Sequence, residues 1–173
     1  MFFSMKNNKT KLVVLSALLA AIIALCTRFT AIPVFGGMGY VHIGDAFIFL
    51  AAAILPTPYA MLSAACGGAL ADLMSGFVAY ILPTAVIKAL MALAFAGKKR
   101  ERLLSKRNFL SIIPSIAILV GGYYIAEVIM YQSFISPLMG MVWNLLQGVF
   151  SAVGFAVLAA ALDKTRLRDR LGV

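Results

Sequence analysis

Acid is scarce in this sequence. Six Asp and Glu stand against fifteen Lys and Arg in 173 residues, and charged residues of both signs make up only 12%. A water-soluble domain carries about a quarter charged residues and roughly 45–50% apolar ones. Here 63% of residues are hydrophobic and the mean hydropathy is +1.00, so the surrounding medium is lipid rather than water. Histidine occurs once, as His42, which excludes a multi-histidine metal site. The two cysteines, Cys26 and Cys66, show no metal-ligand spacing and read as packing residues. No nucleophile stands with a base partner, and Gly36, Gly37 and Gly39 lack the Lys and Ser or Thr of a phosphate-binding loop. The expectation is a protein without metal or cofactor that is not an enzyme.

Period-two alternation is missing as well, which excludes a membrane barrel and leaves helices to satisfy the backbone in lipid. Six apolar segments stand out, at about 11–29, 43–56, 58–76, 78–97, 109–131 and 138–162. The second is short of the roughly 20 residues a span needs. It is read as tilted, broken or partly re-entrant, and still as a crossing, because Pro56-Thr57-Pro58 turns the chain directly into segment three. The fold expected is a single all-α domain of six transmembrane helices. The apolar stretch of segment one runs to Cys26, longer than the core of a cleaved signal, and is kept as helix one.

Thirteen of the fifteen basic residues fall in three clusters: Lys6, Lys9 and Lys11; Lys98, Lys99, Arg100, Arg102, Lys106 and Arg107; and Lys164, Arg166, Arg168 and Arg170. Six crossings put all three on one side, and the positive-inside rule makes that side cytoplasmic, both termini included. The net charge of +9 is thereby explained by flanks facing an anionic leaflet, with no nucleic-acid-binding motif beside them.

Five charges remain inside the spans, where charge is costly and marks function. They are Arg28, Asp45, Asp72, Lys88 and Glu127, and on this topology all five lie in the outer half. Pairs such as Asp72 with Lys88 or Arg28 with Asp45 would be a purely structural use of them. Polar stripes at helical spacing accompany two of the charges: Tyr80, Thr84 and Lys88 on helix four, and Tyr123 or Tyr124, Glu127 and Tyr131 on helix five. Asn144, Gln147 and Ser151 line one face of helix six beside Trp143. Facing stripes of aromatics, amides and charge suit a flat, polar heteroaromatic ligand, although an interfacial aromatic belt accounts equally for Tyr131 and Trp143. The loop from Thr30 to His42 is placed to fold over such a pocket. On helix one, Ser16, Ala20 and Ala24, and also Ala17 and Ala21, recur every fourth residue, which suits either packing within the bundle or close approach of a partner helix.

Three motifs taken in order, Gly39-Tyr-Val-His-Ile-Gly-Asp-Ala46, Ala69-Leu-Ala-Asp-Leu-Met-Ser-Gly76 and Pro83-Thr-Ala-Val-Ile-Lys-Ala89, resemble the substrate-binding (S) components of energy-coupling factor vitamin transporters. The nearest group is the one associated with riboflavin and hydroxymethylpyrimidine. The resemblance implies a multi-pass protein of a prokaryotic cell membrane with an outward pocket built from helices four to six and roofed by the first loop. It implies a water-soluble vitamin or precursor as ligand (riboflavin, hydroxymethylpyrimidine or pyridoxine-like). It also implies docking through small residues of helix one on a transmembrane coupling subunit, with two ATPase subunits driving the cycle. Carried onto this chain, Lys88 and Glu127 contact ligand, Asn144 and Gln147 supply hydrogen bonds, and Tyr80, Thr84, Tyr124 and Trp143 frame the pocket. His42, Asp45, Asp72 and Arg28 support or gate it. A non-transporting scaffold subunit and an autonomous ion-coupled carrier are the alternatives.

Overall fold

The computed structural model describes residues 2–34, 39–95 and 102–165, with side chains from residue 9. Gly36 and Gly37, together with Lys98, Lys99, Arg100, Arg166, Arg168 and Arg170, lie outside the described residues, as does the Lys6 side chain. Among the described residues six α-helices follow one another: α1 (Phe2–Phe29), α2 (Asp45–Ile54), α3 (Thr57–Ser75), α4 (Ile81–Phe95), α5 (Lys106–Tyr131) and α6 (Leu138–Lys164). A 3-10 turn, Val78–Tyr80, precedes α4.

One departure from an all-α chain is a small hairpin between α1 and α2. Strand β1 (Ile32–Val34) pairs antiparallel with β2 (Gly39–Val41), in a register that sets Pro33 opposite Tyr40. Val34 and Val41 are β-branched, and the isolated pair is short enough that composition gave no alternating signal for it.

Local chemistry sets the helix ends. Ser105 caps α5 by accepting from the Asn108 amide at 3.3 Å, so this helix begins three residues before the apolar run suggests. Pro58 sits in the first turn of α3, where its missing N–H is not needed. At the other end Gly76 adopts φ 81°, and Phe77 N donates to Asp72 O at 2.9 Å. That left-handed closure stops α3 just after Asp72 and turns the chain toward α4.

Among the described residues four stretches are long and apolar enough to cross a membrane: Lys9–Phe29, Val78–Phe95, Lys106–Tyr131 and Leu138–Thr165. Leucine, isoleucine and valine side chains such as Leu18, Leu62, Val86, Ile113, Ile129 and Val153 are exposed on the outside of the bundle, the surface a lipid-facing protein presents. This is a helical membrane protein.

Helix α2 behaves differently. Its ten residues rise only about 15 Å, half of a hydrocarbon core. Eight of the ten are buried, because α1, α3, α4 and α6 all pack against it. A helix apolar all round belongs inside a protein, and here the bundle itself takes the place of lipid. Phe49 stacks on Phe95 at 5.6 Å and meets Phe155 edge-on at 6.2 Å, forming the apolar floor beneath the polar first turn of α2.

At the end of the bundle remote from Asp45, the Asp163 carboxylate near the end of α6 accepts from Leu103 N at 2.9 Å and Leu104 N at 3.0 Å. The connection between α4 and α5 is thus tied to the end of α6.

Candidate functional site

Asp45 opens α2, and both its oxygens face inward. Lys88 of α4 donates to Oδ1 at 2.7 Å and to Oδ2 at 2.9 Å, and Gln147 of α6 donates to Oδ2 at 2.8 Å. Asp45 is 0% exposed and Lys88 2%, so the pair is shut away from water. Two glycines make the approach possible. A Cβ on Gly44 would overlap Thr27 Oγ1, and one on Gly68 would meet Thr84 Cγ2 at 2.8 Å and Lys88 Cγ at 3.0 Å. Lys88 reaches across because α3 and α4 touch through Gly68.

A second polar set lies above this one. Tyr40 of β2 donates to Asp72 Oδ1 at 2.6 Å, fastening the hairpin to α3. Among the described residues Asp72 Oδ2 is buried without a hydrogen-bond partner. The nearby Thr84 hydroxyl interacts with the Asp72 carboxylate and shares a 2.9 Å hydrogen bond with Tyr123 Oη. Tyr80 donates toward Glu127 Oε1 at 3.4 Å and shares a hydrogen bond with the Tyr131 hydroxyl. Gly140 of α6 leaves room for Glu127, since a Cβ there would fall 2.9 Å from Oε2.

Two groups between α1 and α2, Tyr40 and His42, lie outside the candidate spans and carry shifted acidities. Gly44 N donates to His42 Nδ1 at 3.0 Å, so the ring is neutral with Nδ1 accepting. Burial lowers its pKa to about 4, with Lys88 adding in the same direction against the opposing pull of Asp45. The Tyr40 phenol is pushed well up by burial and then by the neighbouring Asp72 carboxylate, so it stays a donor.

These side chains enclose two joined chambers. The inner one, about 70 Å³, is walled by Asp45, Lys88, Gln147, Asp72, Thr84 and Tyr123. The outer one, about 330 Å³, is walled by Trp143, Tyr131, Val34, Val41 and Gly140. Tyr40, Tyr80, Glu127 and Asn144 belong to both and form the neck between them. The motif around Asp45, the one around Asp72 and the one around Lys88 therefore meet on one cavity.

The family of the ECF-type riboflavin transporter S component matches residues 7–164. The chain belongs to this family. No curated protein matches it.

As an S component, the protein is part of a vitamin transporter, a class distinct from enzymes. Its cavity gathers nine residues singled out in the sequence: Lys88, Glu127, Asn144, Gln147, Tyr80, Thr84, His42, Asp45 and Asp72 line the inner chamber. Trp143 and Tyr131 line the outer one only. Three readings need correction. The Tyr124 hydroxyl leaves the cavity for Phe134 O at 3.2 Å, and Tyr123 occupies the wall instead. Arg28 is exposed at the end of α1 and lines neither chamber. Lys88 pairs with Asp45, not with Asp72, since α2 rather than α3 offers it both carboxylate oxygens.

The small residues of helix one also divide. Ser16, Ala20 and Ala24 are buried; the Ser16 carbonyl accepts from Ser63 Oγ at 3.0 Å, and a Cβ on Gly67 would lie 2.8 Å from Ala20 O. That stripe is packing against α3, whereas Ala17 and Ala21 face outward.

Sequence reasoning missed Tyr40, Thr27, Phe77 and Gly140. Tyr40 stands two residues before His42 in a segment read as loop, and the alternation of a strand places both on one face, their rings 5.6 Å apart.

Proposed function

We propose that this S component captures riboflavin from outside the cell and hands it inward with a transmembrane coupling subunit and two ATPases. The observation that carries the reading is the shape and charge of the joined chambers. The outer volume lies in the range of small-molecule pockets, roughly 300–1,000 Å³, and is larger than a single pyrimidine or pyridine ring would fill. Trp143, Tyr131 and Tyr80 offer it flat surfaces for a three-ring plane. Among the described residues Lys88 is the only Lys or Arg on either wall, and it is tied to Asp45. Asp72 and Glu127 bring two further carboxyl groups. Such a site favours an uncharged vitamin over carboxylates such as pantothenate or biotin.

Six crossings, with α2 shielded as a short inner segment and both termini cytoplasmic, are part of this reading. The tie between Asp163 and the α4–α5 connection supports it, because it brings two of the basic segments to one end of the bundle. The cavity then opens outward. Ala17 and Ala21 form the outward small-residue face on which a coupling subunit docks. A scaffold subunit would use both intramembrane cations, Arg28 and Lys88, in ion pairs, whereas among the described residues the ion pair is Lys88 with Asp45.

The test is thermal unfolding of the purified protein in detergent against riboflavin, hydroxymethylpyrimidine, pyridoxine, thiamine, pantothenate and biotin. Riboflavin at 100 times its Kd stabilises the fold by about 2.7 kcal/mol. A shift with another vitamin and none with riboflavin replaces the substrate; a folded sample that responds to none of them sinks the reading.

A further inference from the structure

Asp45 does more than neutralise Lys88. A carboxylate can only accept hydrogen bonds, so the 2.8 Å contact with Gln147 forces the Gln147 amide to turn its NH2 group toward Asp45. The carbonyl oxygen, Oε1, must then point the other way. Among the described residues it has no hydrogen-bond partner, and it is not sealed off as Asp72 Oδ2 is, while Gln147 itself lines the inner chamber. Lys88 is fixed by the same carboxylate. Two of its three N–H groups serve Asp45, and the ammonium lies 5.5 Å from the centre of the Tyr123 ring on the chamber wall. A fixed acceptor and a fixed donor thus sit side by side. Asn144, by contrast, has no carboxylate hydrogen-bonded to its amide among the described residues, and it lies at the wider neck.

We infer that Asp45 is a positioning residue that sets the donor–acceptor order of the inner chamber, making it read a ligand edge with a ring N–H beside a ring carbonyl. The N–H donates to Gln147 Oε1 and the carbonyl accepts from Lys88. This rests on the riboflavin reading and deepens it: the pyrimidine-dione edge of the flavin enters the small inner chamber, and the rest of the ring system occupies the outer one. Asp45 touches no ligand and acts through the two side chains it holds.

The experiment compares Kd for riboflavin and for riboflavin methylated at the ring N–H between the two carbonyls. Wild type binds the parent about a hundredfold more tightly, since a buried acceptor built for an N–H is left unmatched by the methyl compound. Gln147→Met keeps the side-chain length without the carbonyl, and the ratio falls to about threefold. Asp45→Asn no longer dictates the amide, because an Asn side chain can present either oxygen or nitrogen to Gln147, and the ratio falls below about tenfold. If Asp45→Asn does not fold, the double variant Asp45→Asn/Lys88→Met, which removes both charges, takes its place. A structural role for Asp45 would weaken both ligands equally and leave the ratio at the wild-type value. Equal binding of both flavins by wild type overturns this inference and leaves the proposed function standing. A ratio that persists in folded Gln147→Met overturns it too, and one that persists only in the Asp45 variant overturns the positioning role. Failure of wild type to bind riboflavin at all overturns the proposed function, and this inference with it.

Discussion

Lys88 Nζ stands 2.7 Å from Asp45 Oδ1, joining the second turn of α4 to the first turn of α2 with both side chains buried. Removing one partner leaves the other as an uncompensated buried charge, which costs about 3–5 kcal/mol. Lys88→Ala and Asp45→Ala are each expected to lower stability by that amount in detergent unfolding. The pair Lys88→Met/Asp45→Leu is expected to lose far less than the sum. Additive losses would mean that the two charges do not depend on each other.

Tyr40→Phe tests the fastening of the hairpin. It removes the donor to Asp72 Oδ1 and leaves that buried carboxylate to its contact with the Thr84 hydroxyl, at a cost of about 1–3 kcal/mol. Hydrogen exchange of the Ile32 and Val41 amides should quicken while that of α5 is unchanged. Unaltered exchange in the hairpin would show that Tyr40 does not hold it down.

Gly140 and Gly67 separate the site from the scaffold. At Gly140 an added Cβ meets the mobile end of Glu127, 2.9 Å away, so Gly140→Ala should shift the carboxylate and weaken riboflavin about tenfold with less than about 1 kcal/mol of stability lost. At Gly67 the added atom meets Ile23 Cβ at 2.7 Å and the Ala20 carbonyl at 2.8 Å. Gly67→Ala should therefore cost about 1–3 kcal/mol by overpacking. A reversed pattern in unfolding and binding would contradict the assignment of Gly140 to the site.

The neutral, buried His42 predicts a pH dependence. Its folded pKa of about 4 lies below the ordinary value of 6.5, so the unfolded chain binds a proton that the folded one refuses. The stability this contributes is complete above pH 6.5 and is lost as pH falls toward 4, at up to about 1.4 kcal/mol per pH unit. His42→Asn retains an acceptor for the Gly44 amide without titrating, and it should flatten the unfolding midpoint across that window. Identical slopes for variant and wild type would locate the dependence elsewhere.

The two stripes of α1 predict opposite outcomes. Ala20→Leu overpacks the contact with α3 and should lower stability and binding together. Ala17→Leu and Ala21→Leu add bulk to an exposed face; riboflavin binding and stability should stay at wild-type values while uptake by the complete transporter is lost. Uptake that survives both changes would remove this face as the docking surface.

Much of this could be read before any fold was known. Lys88 and Asp72 announce themselves because an ionised side chain in an apolar run is costly, and the third apolar segment already reads as ending at about residue 76. The hairpin could not be read, since three-residue strands carry no period. Tyr123 and Tyr124 could not be separated either, because residues three and four positions from Glu127 share one broad helical face.

The amino-acid order alone determined that this chain lives in lipid, that it forms helices, and that a few polar groups converge on one end of them. Those properties follow from transfer energies and from periods along one element, both local to the chain. Which carboxylate receives Lys88, which way Gln147 turns its amide, which alanines of α1 face α3 and which tyrosine enters the cavity were decided only by the tertiary structure. Each depends on how closely two distant helices approach. That distance is set by glycines such as Gly67 and Gly68, whose missing side chains matter only once a neighbour is there to fill the space.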